Sequence, residues 1–294
     1  MKNASASTLI AVGLIGLLWG LNWPTVKTRL SEIPPFTIRA VSLTIAGTVL
    51  GVVVCIRGDR MLPPRDEVIP LLLAGLLTVF GFNVLVTWGQ LMTETSKAAI
   101  IAYIMPALTA VFSVVFLSER LGPNRVLALA IGMAGIAVMA SENLSDLINN
   151  PVGPLIMVGS AISWALGIVA SKARSWTLGP AAQAVWFLGA SGLCCWPLVF
   201  AFEPLDELVL PSTPVLWVLA FHIAGPMIVC YALWTTLVSR LPASVAAIAT
   251  LLAPVVAVSS SMLLLGDEPT WQKIAALVMI VASIALTFLR PIKV

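Results

Sequence analysis

Trp19-Gly-Leu-Asn-Trp-Pro-Thr-Val-Lys-Thr-Arg29 closes the first long apolar run of the chain, and its pattern returns at Trp164-Ala-Leu-Gly-Ile-Val-Ala-Ser-Lys-Ala-Arg174. Trp19 matches Trp164, Leu21 matches Leu166, Lys27 matches Lys172 and Arg29 matches Arg174, all at an offset of 145 residues. An apolar helix that ends Trp-x-Leu-x5-Lys-x-Arg once in each half reads as a duplicated unit, and a repeat on that scale governs the fold.

The solvent of these units follows from composition. Of 294 residues, 60% are hydrophobic and 10% charged, and mean hydropathy is +1.04. A soluble domain carries roughly a quarter of charged residues. This chain cannot clothe itself in polar groups, so it expects lipid. In hydrocarbon every backbone N–H and C=O needs an internal partner, which leaves helix bundles or closed barrels. The apolar runs are about 20 residues long without period-two alternation, which selects helices. The small residues from Asn3 to Ser7 precede the apolar run instead of following it, so no cleavable signal is expected. Cys55, Cys194, Cys195 and Cys230 fall in or beside apolar runs without metal-ligand spacing and read as small packing residues.

Ten spanning helices are expected, over 7–28, 35–56, 67–91, 96–117, 123–141, 152–173, 180–202, 213–238, 242–265 and 270–290. Pro34-Pro35, Pro63-Pro64, Gly122-Pro123, Asn149-Asn150-Pro151 and Gly179-Pro180 punctuate them, because proline cannot continue the hydrogen-bond ladder. With the N-terminus inside, eleven of the sixteen Lys and Arg residues fall on the inner side. Lys27, Arg29, Arg39, Lys97 and Lys273 fall outside, and the outer loops near Glu142 to Asp146 and Glu203 to Glu207 have no base. Both termini are therefore expected in the cytoplasm.

A second block repeats as well. Ser96-Lys-Ala-Ala-Ile-Ile-Ala-Tyr-Ile-Met-Pro106 aligns with Ser244-Val-Ala-Ala-Ile-Ala-Thr-Leu-Leu-Ala-Pro254, an offset of 148 that also pairs Glu119 with Asp267 and Asn83 with Tyr231. Five helices per unit is odd, so the second unit enters from the opposite face. The fold class expected is an all-α membrane protein of ten transmembrane helices as two inverted five-helix repeats, 1–145 and 146–294.

These residues resemble the drug/metabolite transporter superfamily and, within it, the EamA-type exporters. The likeness rests on the Trp19 and Trp164 helices, Ile38-Arg39-Ala40, Pro106 with Leu117-Ser-Glu119, Tyr231-x-x-Trp234, and Leu252-x-Pro254 with Leu265-Gly266-Asp267-Glu268. More narrowly, the chain is similar to the YddG type that exports aromatic amino acids. It departs from the pattern at Gln90 and in lacking a basic counterpart of Arg39 between Ala181 and Cys195. The resemblance implies a central cavity between helices 1, 3, 4, 6, 8 and 9.

On those helices Trp19, Asn22, Asn83, Gln90, Tyr103, Trp164, His222, Tyr231 and Trp234 are the candidate substrate-binding residues. Amides are costly against lipid and should point inward. Aromatic rings suit the apolar part of a small substrate. Trp23, Trp176, Trp217 and Trp271, near helix ends, read as interface anchors. Pro106 and Pro254 each remove a helical hydrogen bond, to the carbonyls of Ala102 and Thr250. With Gly225 and Pro226 they are the expected kink and gating residues. Lys27, Arg29, Lys172 and Arg174 read as helix-end cations that reach the headgroups, and Arg39 as structural.

No Asp or Glu stands in the middle third of a predicted helix; the acids, among them Glu94, Glu119, Glu142, Glu203, Asp267 and Glu268, lie at ends. With His222 as the one titratable group at mid-membrane, passive efflux is expected. A second class is an intramembrane serine protease, since Gly189-Ala-Ser191-Gly192 matches the Gly-x-Ser-Gly of the rhomboid type and His222 could serve Ser191. Small residues that pack helices explain the same four letters. A third is a channel-like facilitator. No cofactor, metal or nucleic acid is expected. The expected partners are a small-molecule substrate and the bacterial inner membrane, with the chain acting as a monomer.

Overall fold

The computed structural model describes residues 5–92, 95–143, 150–204, 209–264, 266 and 268–288. Asn149, Glu94, Asp146, Asp206, Glu207, Leu265 and Asp267, and the side chains of Lys27, Ser96 and Lys97, lie outside the described residues.

Among the described residues the structure is helical throughout. Among the described residues nine helices are long and apolar enough to cross a membrane: α2 (Pro35–Ile56), α3 (Arg65–Met92), α4 (Ile100–Leu117), α5 (Pro123–Ala140), α6 (Val152–Lys172), α7 (Pro180–Phe202), α8 (Thr213–Arg240), α9 (Ala243–Leu263) and α10 (Trp271–Phe288). The apolar helix α1 (Ala6–Asn22) is shorter. The expected single helix over 7–28 is instead broken. Pro24 lacks an N–H and cannot continue the hydrogen-bond ladder, so the chain turns at Trp23 to Thr25 and resumes as the short helix Val26–Leu30.

Four spanning helices are interrupted in matched pairs. In α4 the helix stops at Ala102 and restarts at Met105; in α9 it stops at Ala249 and restarts at Leu252. Pro106 and Pro254 sit in the restarted turns, where a missing N–H costs nothing. The turns close by tighter bonds, Tyr103 N–H to Ile100 O and Leu251 N–H to Ile248 O. The Thr250 carbonyl accepts the Ala253 N–H at 3.0 Å, so the expectation that Pro254 frees it does not hold. In α3 the stretch Leu76–Gly81 is π-helical, and in α8 so is Ile223–Val229, which contains Gly225 and Pro226. Wider turns leave carbonyls for other helices. Leu77 O accepts the Ser163 hydroxyl from α6 at 2.7 Å, and Pro226 O accepts the Trp19 indole N–H from α1 at 3.1 Å.

The main helix contacts join the first five helices to the last five. α2 lies along α7, and α5 along α10. α1 packs on α9 and α8; α6, its repeat mate, packs on α4 and α3. The α2–α7 crossing is close because small residues meet there. A Cβ on Gly192 would stand 2.8 Å from the Thr44 backbone nitrogen, and one on Gly47 2.8 Å from that of Gly189.

Candidate functional site

The interrupted helices surround a cavity with about 690 Å³ of empty space, part of it continuous with solvent. Its walls come from α1 (Trp19, Asn22), the turn and short helix after it (Trp23, Val26), α2 (Arg39), α3 (Phe82, Asn83, Val86, Gln90), the α4 and α9 breaks (Tyr103, Met105, Thr250, Ala253), α6 (Trp164) and α8 (Met227, Tyr231).

Aromatic rings build the floor. Trp19 packs edge-on to Trp164 at 5.6 Å between centroids and to Tyr231 at 5.9 Å, and Trp164 lies 4.9 Å from Phe82. Trp234 backs this group from behind, 5.8 Å from Trp19 and 5.4 Å from Trp164, and is buried without lining the cavity. Edge-to-face contacts of this kind fix ring orientation as well as burying area. The Trp19 indole is further tied by its bond to Pro226 O.

The polar groups are few. Asn83 Nδ2 donates to Val79 O at 2.8 Å and reaches the Tyr231 hydroxyl at 3.4 Å, which leaves its Oδ1 for a ligand. Asn22 lines the wall, but its Oδ1 is engaged with His222 Nδ1 at 2.8 Å. Arg39 lines the cavity from α2, with Nε donating to Thr87 Oγ1 at 3.2 Å. No Asp or Glu is among the lining residues.

Of the residues singled out from the sequence, the cavity gathers Trp19, Asn22, Asn83, Gln90, Tyr103, Trp164 and Tyr231. It does not gather His222 or Trp234. His222 is fully buried behind Asn22, and Pro106, Pro254, Gly225 and Pro226 are buried in the interrupted turns. Two other expectations are revised. Trp23 is no interface anchor: the turn forced by Pro24 brings it into the cavity wall, 6.1 Å from the Tyr103 ring. Arg29 does not reach headgroups: the short helix turns it inward until it is 2% exposed. Trp217 and Trp271 remain exposed at helix ends. Met105, Met227, Phe82 and Val86 were not singled out, because an apolar residue facing a cavity looks in sequence like one facing lipid.

The protease reading finds no support. Ser191 Oγ is buried without a hydrogen-bond partner, no hydrogen bond joins it to His222, and its neighbouring glycine is spent on the α2 crossing.

Comparison with known proteins agrees with a transporter. The chain is 29% identical to the uncharacterized transporter YvbV of Bacillus subtilis over 291 residues, 95% of this chain and 90% of that one. It is 28% identical to the uncharacterized inner membrane transporter YedA of Escherichia coli K12 over 65% of this chain and 62% of YedA. It is 27% identical to the aromatic amino acid exporter YddG of Ancylobacter novellus over 54% of this chain and 57% of YddG. A solved crystal structure shares the fold over 97% of this chain and 98% of its own, with a TM-score of 0.79 and 22% identity. The sequence pattern of the EamA-like transporter family matches twice, over residues 6–141 and 151–289. The protein is a multi-pass membrane protein and belongs to the EamA-like transporter family.

Proposed function

We propose that this transporter is a secondary carrier that exports small, bulky metabolites of the aromatic or neutral amino-acid class by alternating access about the central cavity. One observation carries the reading: residues matched by the internal repeat touch each other there. Trp19 meets its mate Trp164, and Asn83 meets its mate Tyr231. Mates can meet only on the axis that relates two copies. The proposal therefore places the cavity on the axis of two inverted five-helix halves, 1–145 and 146–294, with both termini cytoplasmic. Rocking of one half against the other exposes the cavity to each side in turn. The paired breaks in α4 and α9 and the π-helical turns in α3 and α8 are where such a motion bends the chain most cheaply.

The likeness to YddG supports an aromatic amino acid as cargo, and the ring-lined, acid-free cavity suits it. The acid-free lining also supports passive, gradient-driven transport. The test is uptake and counterflow of radiolabelled L-phenylalanine, L-tryptophan and L-methionine in proteoliposomes. Saturable uptake with counterflow is the expected result. Non-saturating flux indicates a channel, and no uptake of any of the three removes the amino-acid assignment. A pH gradient alone should not drive accumulation; if it does, and His222→Ala abolishes it, the passive reading fails.

A further inference from the structure

We propose that Arg29 and Arg39 form an anion subsite at one end of the central cavity that receives the carboxylate of an amphipathic substrate. The proposal rests on the carrier reading and names the chemical class its cavity accepts.

The geometry is a small second pocket lined by Val26, Arg29, Leu30, Pro35, Ile38, Arg39, Thr87 and Gln90. Val26, Arg39 and Gln90 also line the main cavity, so the two spaces adjoin. Arg29 is 2% exposed, and its Nε and Nη1 are buried without a hydrogen-bond partner. Arg39 has one hydrogen bond, from Nε to Thr87, and the rest of its guanidinium is unspent. Both side chains line this one small pocket. His222, on α8, is fully buried and its Nε2 also has no partner.

No described protein group neutralises the pair. Neither Glu203 nor Glu32 pairs with either arginine. Both Glu203 oxygens accept from the start of α2, at Phe36 N, Thr37 N and Thr37 Oγ1, and Glu32 is bound to Ser212. Buried cations normally have a counter-charge, because desolvation without one is expensive. A mobile anion entering from the cavity supplies it. Guanidinium groups match the flat, two-oxygen geometry of a carboxylate. The ring cage of Trp19, Trp164, Phe82 and Tyr231 receives the apolar body beside it. A compound with an acid at one end and an aromatic body at the other spans both spaces.

The experiment uses the full-length protein in nanodiscs and reads quenching of its tryptophan fluorescence. The probes are 3-phenylpropionate, its neutral amide 3-phenylpropanamide, and 2-phenylethyl phosphate. The acid should bind about tenfold or more tightly than the amide, the scale of one charge-assisted interaction. Arg29→Gln and Arg39→Gln should each bring that ratio close to one; Arg29 does not line the main cavity, so Arg29→Gln should also keep the wild-type amide affinity, which shows that this variant is folded. Equal affinity of the wild type for acid and amide overturns the proposal, and needs no variant. So does an acid preference that survives both substitutions. Tighter binding of the phosphate ester than of the carboxylate overturns the carboxylate assignment. Loss of saturable uptake in liposomes with the acid preference intact sinks the carrier reading alone; uptake without an acid preference sinks the subsite alone.

Discussion

Gly167 shows how one position of the repeat is used twice for different ends. Its mate in the first copy is Asn22, which faces the cavity and holds His222. In the second copy a side chain has no room. A Cβ on Gly167 would stand 2.1 Å from Thr78 Oγ1 and 2.6 Å from Thr78 N, in the π-helical turn of α3. The backbone nitrogen cannot swing away as a side-chain tip can. Gly167→Ala should therefore cost about 1–3 kcal/mol, as overpacking of a tight contact does. The thermal midpoint in detergent should fall, whereas Gly159→Ala, whose Cβ meets nothing nearer than 3.7 Å, should leave it unchanged. Equal midpoints for the two variants would remove the close α3–α6 approach from the account. Beside it, Trp164 touches Trp19, Phe82, Tyr231 and Trp234 at once, a convergence visible only when the helices are assembled.

Helix ends account for the acids. The N-cap residues Pro34, Gly179, Ser212 and Pro242 make no side-chain capping bond to their own helices. Carboxylates from the other half occupy these ends instead, where exposed N–H groups and the helix dipole favour negative charge. Glu203 binds the first residues of α2, Glu67 binds Thr177 ahead of α7, Glu32 binds Ser212 ahead of α8, Glu119 binds Ser244 in α9, and Glu142 binds Thr270 ahead of α10. Glu32 lies outside the spanning helices, and the Ser212 N–H and then its hydroxyl hold its carboxyl below the usual value. A depressed folded value means the contact contributes above the unfolded pKa and fades as pH falls through the folded one. Hydrogen exchange of a peptide covering 209–216 should be slower in the wild type than in Glu32→Gln at neutral pH. The difference should vanish well below pH about 4, the ordinary carboxylate range. Identical exchange at neutral pH would show that the contact does not hold in solution.

Across the described helices the main contacts run between the two family-matched halves of the chain: α2 with α7, α5 with α10, α1 with α9 and α8, and α6 with α4 and α3. The carboxylate contacts join those halves at the membrane-end loops and leave the centre free of acid. Glu119 accepts from the Ser244 hydroxyl and, at 3.4 Å, from its N–H, while pairing with Arg125 at 3.1 Å. A double-mutant cycle on Glu119→Ala and Ser244→Ala, read by unfolding in detergent, should give a coupling of about 1–2 kcal/mol. Additive effects would mean that this junction does not hold the halves together.

Composition and the two repeated blocks were enough for a helical membrane protein of duplicated plan, because lipid permits few folds and a repeat at constant offset survives in the letters. They also pointed to most of the polar and aromatic cavity wall, since amides and tryptophans deep in a spanning helix have few other places to face. What only the tertiary structure decided is where chain breaks redirect side chains. Pro24 falls inside the single helix expected over 7–28, yet its turn carries Trp23 to the cavity and buries Arg29 beside Arg39. His222 read as a site residue and is packed behind Asn22. A residue's type constrains whether it is buried; the direction in which a broken helix resumes determines what it is buried against, and that depends on contacts hundreds of residues apart.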